Sequence, residues 1–574
     1  MISREPASTE PAGGTSCPPA APPAASGARE RRRSTGVGVA LALIIAAGAA
    51  VRVWGIDFGL PHTQARPDET QVMDVALNYL RGVLWPAFYD YPRFYTWLLL
   101  AGFLGYYAAG RAAGTFASLA AFVATWPVDW EPFFLINRSL SATAGFLAIP
   151  VAYAMARRLG DAGTGLVAAL FMAFAYGHAR DSHFGTTDTT LTLLAAACVL
   201  WLLKADDRRW GRADVLAGVL AGLAAATKYN AVILLVPLGL SQLLYAWRAP
   251  GRRFPTLLGG RALAIGAAFA LAFAVGVPFI LFDFARFSQA MGDLSHVLSL
   301  GFTPGDRTNG WWYHLSISLG RGLGLPLLAC GMAGFVVVAR RDWRTGLLLF
   351  SFPAAYFAVA GSFGLQFARY VLPIVPFLCV TAAVAVTALT RHVASPRWRA
   401  GATAAVALAV VLPSAMSIVA FDRVVARTDS RVLAAEWLAR HGEPGASVLV
   451  SGSRYGYPQF DRAFRTWRWD RDLLAFVDGR RRAEGQPDWI VLQESPLPST
   501  TQPEVIELLK AGYERLTLIK AFDPLETGNV YDRQDAFFLP FAGFAGVRRP
   551  GPNFVIYKHP SAQWLPGPGR ENQP

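Results

Sequence analysis

Two acids stand side by side in Gln64-Ala65-Arg66-Pro67-Asp68-Glu69-Thr70, just past the first apolar span. A second acidic stretch, Arg180-Asp181-Ser182-His183-Phe184-Gly185-Thr186-Thr187-Asp188, lies between two later spans. Cations recur at span ends: Arg93 in Tyr91-Pro92-Arg93-Phe94-Tyr95, Lys228 in Ala226-Thr227-Lys228-Tyr229-Asn230, and Arg369 followed by Tyr370 in Gln366 to Pro373. Acids and bases placed together at an apolar surface suit one kind of chemistry. A hydroxyl that attacks a sugar carbon needs one carboxylate to take its proton. A phosphate on a lipid needs an apolar groove for its tail and cations for its charge. A phosphate that leaves needs charge stabilisation more than protonation. One carboxylate and one or two cations are therefore enough, whereas ordinary glycosidases need a second carboxyl group.

Each residue also has a plainer use. Asp68 and Glu69 complement the positive start of a helix. Asp188 can cap its span beside the turn residues Thr186 and Thr187. Lys228 and Arg369 can snorkel to an interface. His183 has no metal partner at a fixed spacing and reads as structural or merely polar. Trp311-Trp312-Tyr313 reads as an interfacial belt before it reads as a sugar platform. The functional argument rests on the acids and cations sharing one side of the membrane.

That side is set by the spans. The chain has 574 residues, 53% hydrophobic and 16% charged, where a soluble chain carries roughly a quarter charged. Its mean hydropathy is +0.33. Runs of roughly 17–25 apolar residues recur from Val37 to Ala420, the length that carries a helix across a bilayer. The net charge of +14 comes from arginines clustered in short loops, a topology signal that points away from a nucleic-acid partner. The four cysteines form no disulfide framework or metal-ligand pattern. Residues 1–35, rich in Pro, Ala, Ser and Gly and ending in Arg29-Glu30-Arg31-Arg32-Arg33, read as a disordered cytoplasmic tail.

Arg157-Arg158, Arg208 to Arg212, Arg248 to Arg261, Arg340 to Arg344 and Arg391 to Arg399 alternate with arginine-poor loops and belong inside. The first outer loop, 55–92, Arg180–Asp188, Lys228, Asp283–Arg321 and Ser362–Arg369 then face outward. Pro67 to Arg81 reads as a helix along the surface: Pro67 suits its first position, Asp68 and Glu69 its first turn and Gly82 its stop. Counting residues 113–127 as a weak span gives about 13 transmembrane helices. The expected architecture is a polytopic all-α membrane domain, 36–420, multi-pass in the plasma membrane, with the N-terminus cytoplasmic. An extracytoplasmic soluble α/β domain, 421–574, follows it. In that domain, helix-like Asp429–His441 and Glu504–Ala511 alternate with strand-like Ser447–Ser451 and Trp489–Gln493.

The ordered set Arg66-Pro67-Asp68-Glu69, Arg180 to Asp188, Thr227-Lys228-Tyr229 and Arg369-Tyr370-Val371-Leu372-Pro373 resembles the GT-C glycosyltransferases, in the protein O-mannosyltransferase and aminoarabinose-transferase-like branch, over residues 36–420. The resemblance implies a GT-C fold. It also implies inverting transfer of a sugar from a polyprenyl-phosphate donor to a hydroxyl acceptor on the extracytoplasmic face. By position, Asp68 matches the catalytic base with Glu69 beside it, and Asp188 the acid of the second outer motif. Lys228 matches the lysine of the mannosyltransferases' Lys-aromatic pair and Arg369 a donor-phosphate contact; Arg93 joins them as a phosphate-binding candidate because it faces the same side. Arg180, Asp181, His183, Tyr229 and Tyr370 are the remaining site candidates. His183 stands where the mannosyltransferases carry an arginine, and the C-terminal 150 residues lack the beta-trefoil signature of the eukaryotic enzymes. The sugar and the acceptor (protein, glycan or lipid) stay open. Metal dependence varies within the family, so a divalent metal stays open too. A transporter or flippase would place its charges at mid-span, and a non-catalytic scaffold would be indifferent to Asp68→Asn.

Overall fold

The computed structural model describes residues 23–84, 89, 91–205, 209–248, 253–300, 309–460, 464–470, 472–479, 481–495, 505, 512–523, 528–532 and 538–562. A helical body fills the first three quarters of the chain, and a sheet-containing domain sits on one end of it. The first helix, Pro23–Val53, begins inside the segment expected to be a disordered tail, because the Ala-, Arg- and Glu-rich run before the apolar span has good helix formers. The main apolar core joins helices Glu131–Leu159, Ala162–Ala173, Asp188–Lys204, Arg212–Ala225, Leu325–Arg341, Trp343–Ser362 and Val375–Thr390.

By length and composition, seven described helices can cross a bilayer, or up to eight if the pair Gly310–Leu323 and Leu325–Arg341, bent by 111°, counts as one span. The expected count of about 13 is not matched. Residues 113–127 contain one helix, Leu119–Thr125, of seven residues, about 10 Å long, where a crossing takes about 20 residues. Phe94–Ala112 runs back along the start of Glu131–Leu159: Tyr95 bonds Asn137 at 2.8 Å, and the Phe103 and Phe133 rings lie 5.1 Å apart. A chain that leaves the bilayer at Gly55 and re-enters at Pro132 on the same side needs an even number of crossings between them. Zero meets that condition as well as two.

The expected surface helix forms over Pro67–Leu80, with Pro67 in its first turn and Asp68 and Glu69 beside it. It ends before Gly82, whose φ of +80° a side chain would resist. Val72, Met73, Ala76 and Leu77 make one buried face, packed on Tyr95, Leu99, Phe103 and Phe133. This packing fixes the helix, and with it the direction in which its first turn displays two carboxylates.

The C-terminal domain opens with helix Ser430–His441, as the sequence predicts. Among the described residues seven strands follow: β1 Ser447–Val450, β2 Arg465–Asp470, β3 Ala475–Asp478, β4 Arg481–Arg482, β5 Trp489–Glu494, β6 Glu514–Ile519 and β7 Asn553–Lys558. They form one mixed sheet in the order β4-β3-β2-β1-β5-β7-β6. The central strand β1 pairs in parallel with β2 and β5, and the other pairs are antiparallel. Strands β1 and β5 are the two that the sequence predicts. The expected helix Glu504–Ala511 lies outside the described residues except for Val505.

Candidate active site

Adjacent positions on a helix point about 100° apart, and in the first turn of Pro67–Leu80 this separates the two acids. Glu69 turns inward and is fully buried. Its carboxylate takes a two-pronged bond from Arg138 Nε and Nη2, both at 2.9 Å, and a third bond from Gly185 N at 2.8 Å. Arg138 Nη1 donates to the carbonyls of Ile56 and Phe58, each at 2.8 Å, and the guanidinium lies 4.1 Å from the Phe58 ring centre. Glu69 thus ties the first outer loop, the helix Glu131–Leu159 and the Gly185 turn into one unit. Gly185 has to be a glycine there. A Cβ would come within 2.2 Å of Asn137 Nδ2, which donates to the Gly185 carbonyl at 2.9 Å.

Asp68 turns the other way, into a cleft lined by Val72, Tyr91, Thr186, Thr187, Asp188, Lys228 and Arg369. Arg369 Nη2 lies 2.9 Å from Asp68 Oδ2, and its Nε lies 3.7 Å from Asp188 Oδ2. Lys228 Nζ donates to Asp188 Oδ1 at 2.7 Å and sits 5.0 Å from the Tyr370 ring centre. Two carboxylates and two cations therefore alternate across one cleft. Asp68 is the more open acid, with 25% of its side chain exposed against 4% for Asp188.

Each of these side chains stands at an element boundary. Asp188 opens helix Asp188–Lys204, Lys228 precedes the short 3₁₀ turn Tyr229–Leu234, and Arg369 lies in the 3₁₀ turn Ala368–Ile374. The C-terminal domain reaches the last of these, because Asp532 Oδ2 accepts from Ala368 N at 2.9 Å, one residue from Arg369.

Beside the cleft, and joined to it by Tyr91-Pro92-Arg93, lies a larger groove of about 690 Å³. Tyr79, Leu84, Trp97, Leu100, Phe279 and Phe282 make it apolar, and Arg93 is the cation in its wall. Tyr229 stands near its edge: its hydroxyl donates to the Tyr89 carbonyl at 3.0 Å, and Tyr89 packs on Phe279.

Arg180, Asp181 and His183 are not among the residues that line the cleft. All three are buried in a separate cluster beneath the C-terminal domain. Arg180 Nη1 meets Asp181 Oδ2 at 3.0 Å and stacks 5.1 Å from the rings of Phe184 and Phe541. His183 is held between the carbonyls of Ala179 and Trp54, both at 3.1 Å, with Asp422 3.4 Å from its Nε2. Arg138 and Asp532 were not foreseen. An arginine seven residues into an apolar span was the available signal for the first, while nothing local marks the second. Among the described residues no group of three His, Cys, Asp or Glu side chains could hold a metal ion.

Comparison with known proteins follows the same lines. Residues 136–282 match the family described as dolichyl-phosphate-mannose-protein mannosyltransferase. The structure of ArnT from Cupriavidus metallidurans in the apo state superposes with a TM-score of 0.51 at 14% identity, covering 92% of this chain and 98% of that one. ArnT bound to undecaprenyl phosphate superposes with the same score and identity over 90% and 97%. The Archaeoglobus fulgidus oligosaccharyltransferase gives 0.47 at 14% identity over 70% of this chain, which spans 58% of the length of that protein. No curated protein matches in sequence. The chain is thus similar to the GT-C glycosyltransferases, in sequence over residues 136–282 and in fold over nine-tenths of its length.

Proposed function

We propose that the chain is an inverting glycosyltransferase that moves a sugar from a polyprenyl-phosphate donor to a hydroxyl acceptor on the extracytoplasmic face of the membrane. The observation that carries this is the single cleft in which Arg369 and Lys228 meet Asp68 and Asp188, opening beside an apolar groove. The groove takes the lipid tail, with Arg93 in its wall. The donor phosphate competes with the carboxylates for Lys228 and Arg369, and its entry frees Asp68 from the guanidinium. The acceptor oxygen attacks the anomeric carbon from the face opposite the phosphate. Its C–O bond forms as the sugar–phosphate C–O bond breaks, the bonding pair leaves with the phosphate, and the hydroxyl proton passes to Asp68. Lys228 and Arg369 hold the charge that develops on the leaving oxygen. Glu69 positions Asp68 by locking the turn that carries it.

ArnT crystallised with undecaprenyl phosphate supports a lipid-phosphate donor for a fold of this kind. The charges line a cleft at the ends of helices, away from mid-span, which favours an enzyme over a transporter. Seven described helices, or up to eight with the bent pair, are long and apolar enough to cross; this reading needs an odd number of crossings in all. Such a count goes with a cytoplasmic N-terminus and a C-terminal domain outside. That domain rests on the first outer loop through His62 and Thr63 and is placed to present the acceptor.

The test uses protein in lipid nanodiscs with a panel of polyprenyl-phosphate sugars and an envelope acceptor fraction. Free polyprenyl phosphate released from one donor, and lost in a folded Asp68→Asn variant, supports the assignment and names the sugar. Equal release by both proteins removes Asp68 as the base.

A further inference from the structure

The helix that begins at Asp188 ends at Lys204, about 25 Å away along its axis, and that far end borders a second cavity. It encloses about 450 Å³, within the roughly 300–1,000 Å³ of small-molecule sites. Among the described residues four arginines line it, Arg158, Arg248, Arg261 and Arg344, against one carboxylate, Asp342. Arg261 is buried and already committed: it bonds Asp214 at 2.9 Å, Gln242 at 2.9 Å and Ser241 at 2.7 Å, and so forms part of the wall. Asp342 is committed as well. It accepts from Arg344 N at 3.1 Å and from the Thr345 hydroxyl at 2.5 Å, capping helix Trp343–Ser362. Arg158 Nε donates to the Leu203 carbonyl, Arg248 acts electrostatically on Asp342, and Arg344 lies 5.3 Å from the Trp343 ring centre; among the described lining residues these three guanidinium groups still outnumber the one carboxylate outside the Arg261 pair.

Its depth follows from its neighbours. Trp247 and Trp343, the residues preceding Arg248 and Arg344, are 64% and 58% exposed. Exposed tryptophans beside arginines at span ends mark the level of lipid headgroups. A basic pocket between helices at that level suits a phosphate whose acyl chains stay in the leaflet.

We propose that this cavity binds a phosphate-bearing anion on the membrane face opposite the catalytic cleft, as the headgroup of an anionic phospholipid held by Arg158, Arg248 and Arg344. The site is independent of the cleft and of the chemistry assigned there. Inorganic phosphate shares the recognised group, so the experiment separates the two sources.

Full-length protein is titrated with phosphatidylglycerol, phosphatidylcholine or inorganic phosphate, and retained lipid is counted by native mass spectrometry. Wild type retains phosphatidylglycerol over phosphatidylcholine. The double substitution Arg248→Gln with Arg344→Gln weakens that retention about thirtyfold, at roughly a fivefold loss per surface charge. The double substitution to lysine keeps most of it, which separates lost charge from lost folding. Equal retention of phosphatidylglycerol by wild type and the glutamine variant overturns the proposal. So does saturation by inorganic phosphate with no preference between the two lipids, which would make the cavity a soluble-anion site.

Discussion

Arg369 holds Asp68 at 2.9 Å while its Nε stays 3.7 Å from Asp188, so one guanidinium spans the two acids of the cleft. A planar fork can do this and a point charge cannot. Arg369→Lys should therefore act as a severe change: donor turnover falls by about tenfold or more, with the melting temperature little altered. Steady-state kinetics of the lysine and wild-type proteins decide it. A lysine variant at full turnover would show that the arginine serves only as an interfacial charge.

The two neighbouring acids should fail in different ways. Asp68→Asn removes a proton acceptor and should lower turnover by about 10²–10⁴-fold in a protein that folds normally. Glu69→Gln leaves the buried Arg138 without its counter-charge, which costs about 3–5 kcal/mol when one partner of such a pair is removed. Thermal unfolding and donor release measured side by side on both variants separate a base from a positioning residue.

The apolar groove should select for chain length. Leu100→Asp puts a charge in its wall. The expected outcome is a rise of about tenfold in KM for a long polyprenyl donor, while a short-chain, water-soluble donor is used as before. A loss of turnover with both donors would place the tail elsewhere.

Acid should loosen the contact between the outer loop and the C-terminal domain. His62 is buried against the Tyr457 carbonyl at 2.7 Å, and burial, with Arg431 nearby, lowers its pKa from the model-peptide value of 6.5 to about 3. Between those values the unfolded or undocked chain binds a proton that the docked one refuses. The contribution to stability is thus full above about pH 6.5 and is lost progressively as pH falls toward 3. Hydrogen exchange in residues 55–66 and 453–459 should rise over that window, and His62→Gln should flatten the dependence. A pH-independent profile in wild type would show that His62 does not report docking.

Asp532 tests whether the C-terminal domain matters to the cleft. Its carboxylate holds Ala368 N at 2.9 Å, next to Arg369. Asp532→Ala should lower turnover without changing how tightly a polyprenyl-phosphate tail binds, because it loosens the turn that aims the guanidinium. A change confined to tail binding would contradict that role.

What the amino-acid order determined by itself is local. Apolar runs set the helices. Pro67 with two acids set the start of the surface helix, and short apolar runs rich in Val and Ile set β1 and β5. The same local rules place Asp188, Lys228 and Arg369 at element boundaries, where polar side chains escape the apolar interior. Their meeting in one cleft was expected only as a shared side of the membrane. The tertiary structure decided which acid is buried and which faces the cleft. Asp68 and Glu69 carry the same charge in the same helical turn, and Glu69 became the buried one because Arg138, 69 residues later in the chain, faces it across the packed helices. The same holds for Arg180, Asp181 and His183, which share a motif with Asp188 but belong to a different buried cluster. The short helix Leu119–Thr125 shows the converse limit. Apolar composition says that a segment avoids water, but only packing against Phe103 and Phe133 says whether it does so inside the bilayer or against the protein.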